Sequence, residues 1–287
     1  MNRARVVVGA DGSAAGTATV RWAATEARLR DTDLEVILAY HWQMPGRHFT
    51  TSGALQRTAD EQARSIIEAS VTQARSAAPG LAVHGTAVLG YPAEVLLRAA
   101  RDAELLVVGS RGLGGFRGLL LGSVGAQVAT HASCPVVVVR GRTTTAGPVV
   151  VGVDESASAQ VATALAFEET ALRRDTTLLA VTAYTAPLPP MTVGTPPLGY
   201  DQSELEKVIR RSQAVELAKW REKYPDVVVD GEVVTGNPAE VLVAKSRRAQ
   251  LVVVGTHSQG AVEALLLGSV GLRLLHHADC PVLIARR

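Results

Sequence analysis

The sequence predicts an α/β protein built as two tandem domains, each a doubly wound, five-stranded parallel sheet. Three observations predict it. Short Val, Leu and Ile runs alternate with amphipathic stretches of helical period, which is the pattern of a sheet with crossover helices. The runs are continuously apolar, as in "ARVVVGA", "ELLVVGS" and "CPVVVVR", and that marks strands buried on both faces. The chain also repeats itself: Gly109, Gly122 and Cys134 recur as Gly255, Gly268 and Cys280, each 146 residues later. Pro92-Ala93-Glu94-Val95-Leu96 recurs as Pro238-Ala239-Glu240-Val241-Leu242 at the same displacement, and "VVVGADGSAA" is answered by "VVVGVDESAS" from residue 149.

Within the first half, "ARVVVGA" reads as a buried strand, and Ser13 caps a helix running to about Leu29. "DLEVILAYH" is a second strand, "DEQARSIIEASVTQARSA" a helix and "LAVHGTAVL" a third strand. Pro92 opens a short helix, where its missing N–H costs nothing. "ELLVVGS" is a fourth strand, "GSVGAQVATHA" a helix and "CPVVVVR" a fifth strand. The second half follows the same order. Domains are expected over 1–141 and 149–287, joined by the polar linker 142–148, which Pro148 closes. The last strands, "CPVVVVR" and "CPVLIAR", are short and apolar, so they are expected at sheet edges that pair with each other, as a pseudo-dimer of the halves or in a homodimer.

Composition narrows the function. The chain has 287 residues, 47% apolar, with a formal net charge of +2, so no broad attraction to nucleic acid or an anionic membrane is expected. Every apolar run is broken by Gly, Arg or Glu well short of the about 20 residues that a membrane span needs. The opening residues pass straight into a strand, and a cytoplasmic protein is expected. Cys134 and Cys280 occupy one repeated position and read as small core residues rather than a disulfide or redox pair. No HExxH motif or Cys/His cluster offers a metal site, and His276 and His277 read as the end of a helix.

In a doubly wound sheet, ligands bind beyond the carboxyl ends of the strands, where the strand order reverses. Two glycine-rich turns point there: "GADGS", with Gly9 and Asp11, and "GSRGLGGFRGLLLGSVG", residues 109–125. The second contains Gly109, Ser110, Arg111, Gly112, Gly114, Gly115, Arg117, Gly122, Ser123 and Val124. Its glycines let backbone N–H groups turn toward an anion, and Gly122-Ser123 opens a helix whose free N–H groups favour phosphate. The plain alternative, a packing glycine with a serine cap, explains one Gly-Ser pair but not this convergence. The motif is not a Walker loop, which needs a lysine, and the first half has none. Arg111 and Arg117 are the cations at hand. Asp11 either caps its turn or accepts hydrogen bonds from a nucleoside or reaches Mg through water.

Gly109-x2-Gly112-x9-Gly122-Ser123, taken with "VVVGADGS" and "HASCPVVVV", resembles the ATP-binding branch of the universal stress protein family, here as a tandem two-domain member. The resemblance implies a Rossmann-like, adenine nucleotide alpha hydrolase-like fold in which the Gly and Ser positions hold the phosphates of ATP. It places Asp11 close to the nucleoside and the adenine against main chain at the end of strand two, around Ala39, Tyr40 and His41. It also implies dimers and a role in surviving stress.

The second copy, "GTHSQGAVEALLLGSVG", keeps Gly255, Thr256, Gly260, Gly268, Ser269 and Val270 beside Gly152 and Asp154. It holds Ser258 where the first copy has Gly112, His257 for Arg111, Ala261 for Gly115 and Glu263 for Arg117. Losing a glycine restricts the loop, and a glutamate repels phosphate. The second site is therefore expected to bind ATP more weakly, or only with a rearranged loop. "THSQG" falls short of a nucleophile elbow, because Thr256 stands where that motif needs Gly. The segment "APLPPMTVGTPPLGY" at 186–200 reads as a loop near the second adenine position, as a lid or partner surface. With no carboxylate besides Asp11 and no lysine in the loops of the first copy, a nucleotide-responsive regulator that presents a surface to a protein partner is expected. The alternative is a slow ATPase or nucleotide-dependent enzyme of the same fold.

Overall fold

The computed structural model describes residues 5–41, 53–112, 121–185, 202–256 and 267–286. Ten strands form one continuous sheet. The first half contributes β1 (Arg5–Ala10), β2 (Asp33–Tyr40), β3 (Val83–Leu89), β4 (Leu105–Gly109) and β5 (Val136–Val139). The second contributes β6 (Val149–Gly152), β7 (Thr177–Tyr184), β8 (Val228–Thr235), β9 (Leu251–Gly255) and β10 (Val282–Ala285). Their spatial order is β3-β2-β1-β4-β5-β10-β9-β6-β7-β8, parallel within each half.

The expected terminal strands meet at the centre. β5 and β10 pair antiparallel, with Val137 opposite Leu283, its own equivalent 146 residues on. The seam is thus isologous, as at a twofold dimer interface, but lies within one chain. Each half keeps a complete doubly wound sheet, and the strands expected at an edge are buried in the middle of a larger one.

Successive valines explain the two-faced core. Val6 and Val8 point into one apolar layer and Val7 into the other, as the period of two requires. The first layer lies under α1 (Ala14–Leu29), α2 (Gly53–Ala77), α5 (Ala157–Leu172) and α6 (Gln202–Lys223). The other lies under α3 (Pro92–Ala99), α4 (Ser123–His131), α7 (Pro238–Ser246) and α8 (Ser269–His277). Ser13 caps α1 as expected, its hydroxyl accepting from the Gly16 N–H at 2.9 Å, and Pro92 and Pro238 open their helices. α2 begins at Gly53, seven residues before the expected Asp60. Cys134 and Cys280 are free and buried. Among the described residues no helix is long and apolar enough to cross a membrane.

Side chains fasten the seam on both faces. In the first helical layer, Glu26 of α1 and Arg30, the residue just after it, meet Glu169 of α5 and Arg173, the residue just after that helix, in a ring of four ion pairs. All four side chains are at most 8% exposed, and Arg30 also reaches Glu104 at 2.7 Å. Each half supplies one i,i+4 Glu-Arg pair, so the ring shares the pseudo-twofold symmetry. On the opposite face, Arg140 donates to the carbonyls of Leu274 and His276, at 2.6 and 2.7 Å. Arg286 donates in turn to those of Ala129 and Ala132.

The polar stretch expected as a linker is anchored. The Arg142 N–H donates to the Asp279 carbonyl at 2.8 Å, and the Gly147 carbonyl accepts from Gln250 Nε2 at 2.6 Å and Thr176 Oγ1 at 2.7 Å.

Candidate functional site

Strand order reverses between β1 and β4 in the first half, and a cavity of about 820 Å³ opens there at the carboxyl ends of β1, β2 and β4. Gly9 and Asp11 follow β1 into it, and Ala39 and His41 reach it from the end of β2. Gly109, Arg111 and Gly112 enter from β4, and Gly122, Ser123 and Val124 from the start of α4. Two separate glycine-rich turns and the end of β2 thus converge as the sequence implies. Ser110 does not line the cavity: its N–H donates to the Val139 carbonyl, and its own carbonyl accepts from the Gly122 N–H at 2.8 Å. It closes the loop onto the helix start. Gly114, Gly115 and Arg117 lie outside the described residues.

Gly122, rather than Ser123, is the N-cap of α4, and it brings no side-chain hydrogen bond. A glycine cap lacks the oxygen that Ser, Asp or Asn uses to occupy the first N–H groups. Ser123, within the first turn, also lines the cavity and carries a hydroxyl. This end of α4 therefore presents both N–H groups and a hydroxyl, the donors an anion needs.

Asp11 caps its turn and also lines the cavity. Its Oδ1 accepts from the Ser13 N–H at 2.9 Å and from the Ser13 hydroxyl at 2.7 Å, which locks the turn between β1 and α1. Its Oδ2 faces the glycine loop, 2.7 Å from where a Cβ on Gly112 would stand. A Cβ on Gly16 would collide with Oδ1. The carboxylate is seated between two glycines, and a side chain at either position displaces it. Among the described lining residues Asp11 is the sole carboxylate, Arg111 and His41 are the basic side chains, and lysine is absent.

Several lining residues gave no sequence signal of their own. Gly16 sits in the first turn of α1, and Ala59, Ala63 and Ile66 on one face of α2 form an apolar wall opposite Leu96 of α3. The His41 ring lies 5.0 Å from that of Tyr91, so this side chain joins an aromatic pair beside the cavity. Comparing the helices of the two halves would have flagged these positions, because their counterparts differ.

The second half builds the same frame with other contents. Asp154 caps its turn, accepting from the Ser156 N–H at 2.8 Å, but it is exposed where Asp11 is half-buried. Ala159 stands where Gly16 stands in the first half. At Gly255 a Cβ would lie 2.5 Å from the Ser158 carbonyl oxygen, so the first turn of α5 crowds the end of β9. At Gly109 the nearest atoms are the Thr19 hydroxyl at 3.0 Å and the Arg111 carbonyl at 3.1 Å.

Ile67 covers Gly85 in the first half and Gln213 covers Gly231 in the second, which fixes the correspondence of α2 and α6. By that correspondence Leu205 and Ile209 replace Ala59 and Ala63, and Ser212 replaces Ile66. Gly152, Gly268, Ser269 and Val270 stand at the repeat positions, and the Gly268 N–H donates to the Thr256 carbonyl, closing that loop as in the first half. His257 and Gly260, with Ser258, Ala261, Glu263 and the segment 186–200, lie outside the described residues. His276 and His277 do end α8, but it is Arg140 that takes its terminal carbonyls.

Comparison with known proteins agrees with this architecture. The sequence pattern of the universal stress protein family matches residues 2–140 and again 146–286. Universal stress protein Rv2005c of Mycobacterium tuberculosis is 37% identical over 98% of this chain and 97% of its own length. Universal stress protein Rv2623 of the same organism is 35% identical over 98% and 96%. A universal stress protein from Archaeoglobus fulgidus superposes over 99% of this chain and 98% of its own with a TM-score of 0.73 at 17% identity, a likeness of fold. The chain belongs to the universal stress protein family, as a tandem member with two copies of the family domain.

Proposed function

We propose that the first half binds an adenine nucleotide, ATP with Mg, and that the protein is a cytoplasmic, nucleotide-responsive regulator of stress adaptation or growth. One observation carries the reading: the open N-terminus of α4, the carboxylate of Asp11 and the end of β2 converge on one cavity at the switch point. At about 820 Å³ this cavity is of the size that holds a cofactor-sized ligand. Phosphates rest on the first N–H groups of α4 from Ser123 onward and on the Ser123 hydroxyl, close against the backbone of Gly122, with Arg111 beside them. The ribose or a hydrated Mg lies against Asp11, and adenine packs between main chain at Ala39 and the apolar wall of α2.

Turnover is slow in this reading, because phosphoryl transfer needs an organised base and firm neutralisation at the terminal phosphate. The described lining offers one carboxylate, already engaged with Ser13, and no lysine. Occupancy instead orders the glycine loop, and a protein partner reads the altered surface.

The second half binds ATP more weakly, or only in a rearranged loop. Ala159, the crowding by Ser158, and Leu205 and Ile209 in place of alanines all support that asymmetry. The terminal strands serve as the pseudo-dimer seam, so a homodimer uses another surface. Mass spectrometry of nucleotide released from the purified protein tests the ligand: co-purified or readily loaded ATP is expected. Turnover at about 1 per second or faster would favour the enzyme reading instead.

A further inference from the structure

α4 has only nine residues, Ser123–His131, a length of about 13 Å, and helices this short are marginal by themselves. Its position depends on what grips its ends. The N-terminal end borders the cavity and has no side-chain cap. The C-terminal end is held from the other half of the molecule: Arg286, the residue after β10, donates to the carbonyls of Ala129 and Ala132, the latter at 3.2 Å. These carbonyls sit at the C-terminal end of α4, where helical partners run out and a cation is favoured.

The arrangement is reciprocal. Arg140, 146 residues before Arg286, follows β5 and grips Leu274 and His276 at the end of α8. Each half therefore fixes the far end of the helix whose near end opens the other half's site. Both guanidiniums are partly buried, and neither substitutes for the other, since each meets a different helix.

We propose that Arg286 is a positioning residue for the nucleotide site of the first half, although it belongs to the second. It holds α4 so that Gly122 and Ser123 meet the phosphates. This rests on the reading of that cavity as a nucleotide site.

The test compares Arg286→Met with Arg140→Met by calorimetric titration with MgATP and by thermal unfolding. Pseudo-symmetry makes the two losses structurally alike, so a purely structural role lowers stability in both and shifts first-half affinity equally. The positioning role weakens first-half affinity in Arg286→Met on the order of fivefold or more beyond any change in Arg140→Met, whose lost charge lies near Arg111. Equal effects of the two variants on affinity, or none in Arg286→Met, would overturn the proposal. If Arg286→Met fails to fold, Arg286→Lys and Arg140→Lys, which keep the cation but not the two-carbonyl fork, replace the pair under the same criterion. A wild-type chain that takes up no MgATP would instead overturn the nucleotide reading itself.

Discussion

The Asp11 carboxylate occupies the space into which a side chain on Gly16 would project. Gly16→Ala pushes the carboxylate off Ser13 and out of the cavity, while alanine suits the helix interior better than glycine by about 1 kcal/mol. The helix gain offsets part of the lost turn hydrogen bonds, so the expected outcome is a small fall in melting temperature with an affinity for MgATP that falls on the order of tenfold, the loss of about one charged hydrogen bond. Titration and thermal unfolding of the same sample check it. A drop in stability with unchanged affinity would show that the glycine serves packing only.

The ring of Glu26, Arg30, Glu169 and Arg173 gives the fold a dependence on pH. Burial first, then the charge of Glu26, pushes the Glu169 carboxyl up to about 7, against the pull of Arg173 and Arg30. A carboxyl raised in the folded state contributes stability that is fully present below its ordinary value of 4.5 and lost as pH rises through about 7. Glu26 runs the other way: burial opposes its charge, but Arg173 and Arg30 hold it below 4.5, so its contribution persists above that pH. Between pH 4.5 and 7 the Glu169 effect governs, with Glu104, the remaining carboxylate on Arg30, more exposed. Urea unfolding should show wild type losing on the order of 1–3 kcal/mol relative to Glu169→Gln across that window. Parallel curves for the two proteins would refute it.

Removing one cation from the ring leaves buried carboxylates facing each other. Arg173→Met should cost about 3–5 kcal/mol at neutral pH, since an uncompensated buried charge is expensive. Removing its i,i+4 partner as well, in Arg173→Met/Glu169→Met, should recover much of that loss. Denaturant midpoints of the two variants decide the point, and an equal or larger loss in the double variant contradicts it.

The two thiols should be inert in the folded protein. Burial pushes Cys134 up to about 11 and Cys280 up to about 12, the neighbouring Asp279 adding to the latter. Thiolate is the reactive form, so a chromogenic disulfide reagent at pH 8 should titrate neither in the native chain and both after unfolding. Rapid native labelling of either would contradict the buried placement.

The sheet was legible because its strands are unbroken runs such as Val6-Val7-Val8, which only a two-sided core accommodates. The convergence of Gly9, Asp11, Gly109 and Gly122 was legible because strand order fixes where such turns emerge. Gly16, Ala59 and Ala63 were not, because small residues in a helix look alike until the packing of α1 and α2 shows which face a cavity. Glu26 and Glu169 carry no signal in the sequence, since their partners Arg173 and Arg30 stand in the other half of the chain. The single sheet was foreshadowed by the apolar terminal strands, but the pairing of Val137 with Leu283 is a fact of three-dimensional symmetry.

The central claim is that one chain carries one intact nucleotide site beside a modified one. Calorimetric titration of the full chain with MgATP tests it directly, alongside Gly16→Ala and Ala159→Gly. One tight site per chain is expected, weakened on the order of tenfold in Gly16→Ala and retained in Ala159→Gly. Two equal tight sites, or a tight site that survives Gly16→Ala unchanged, would contradict it.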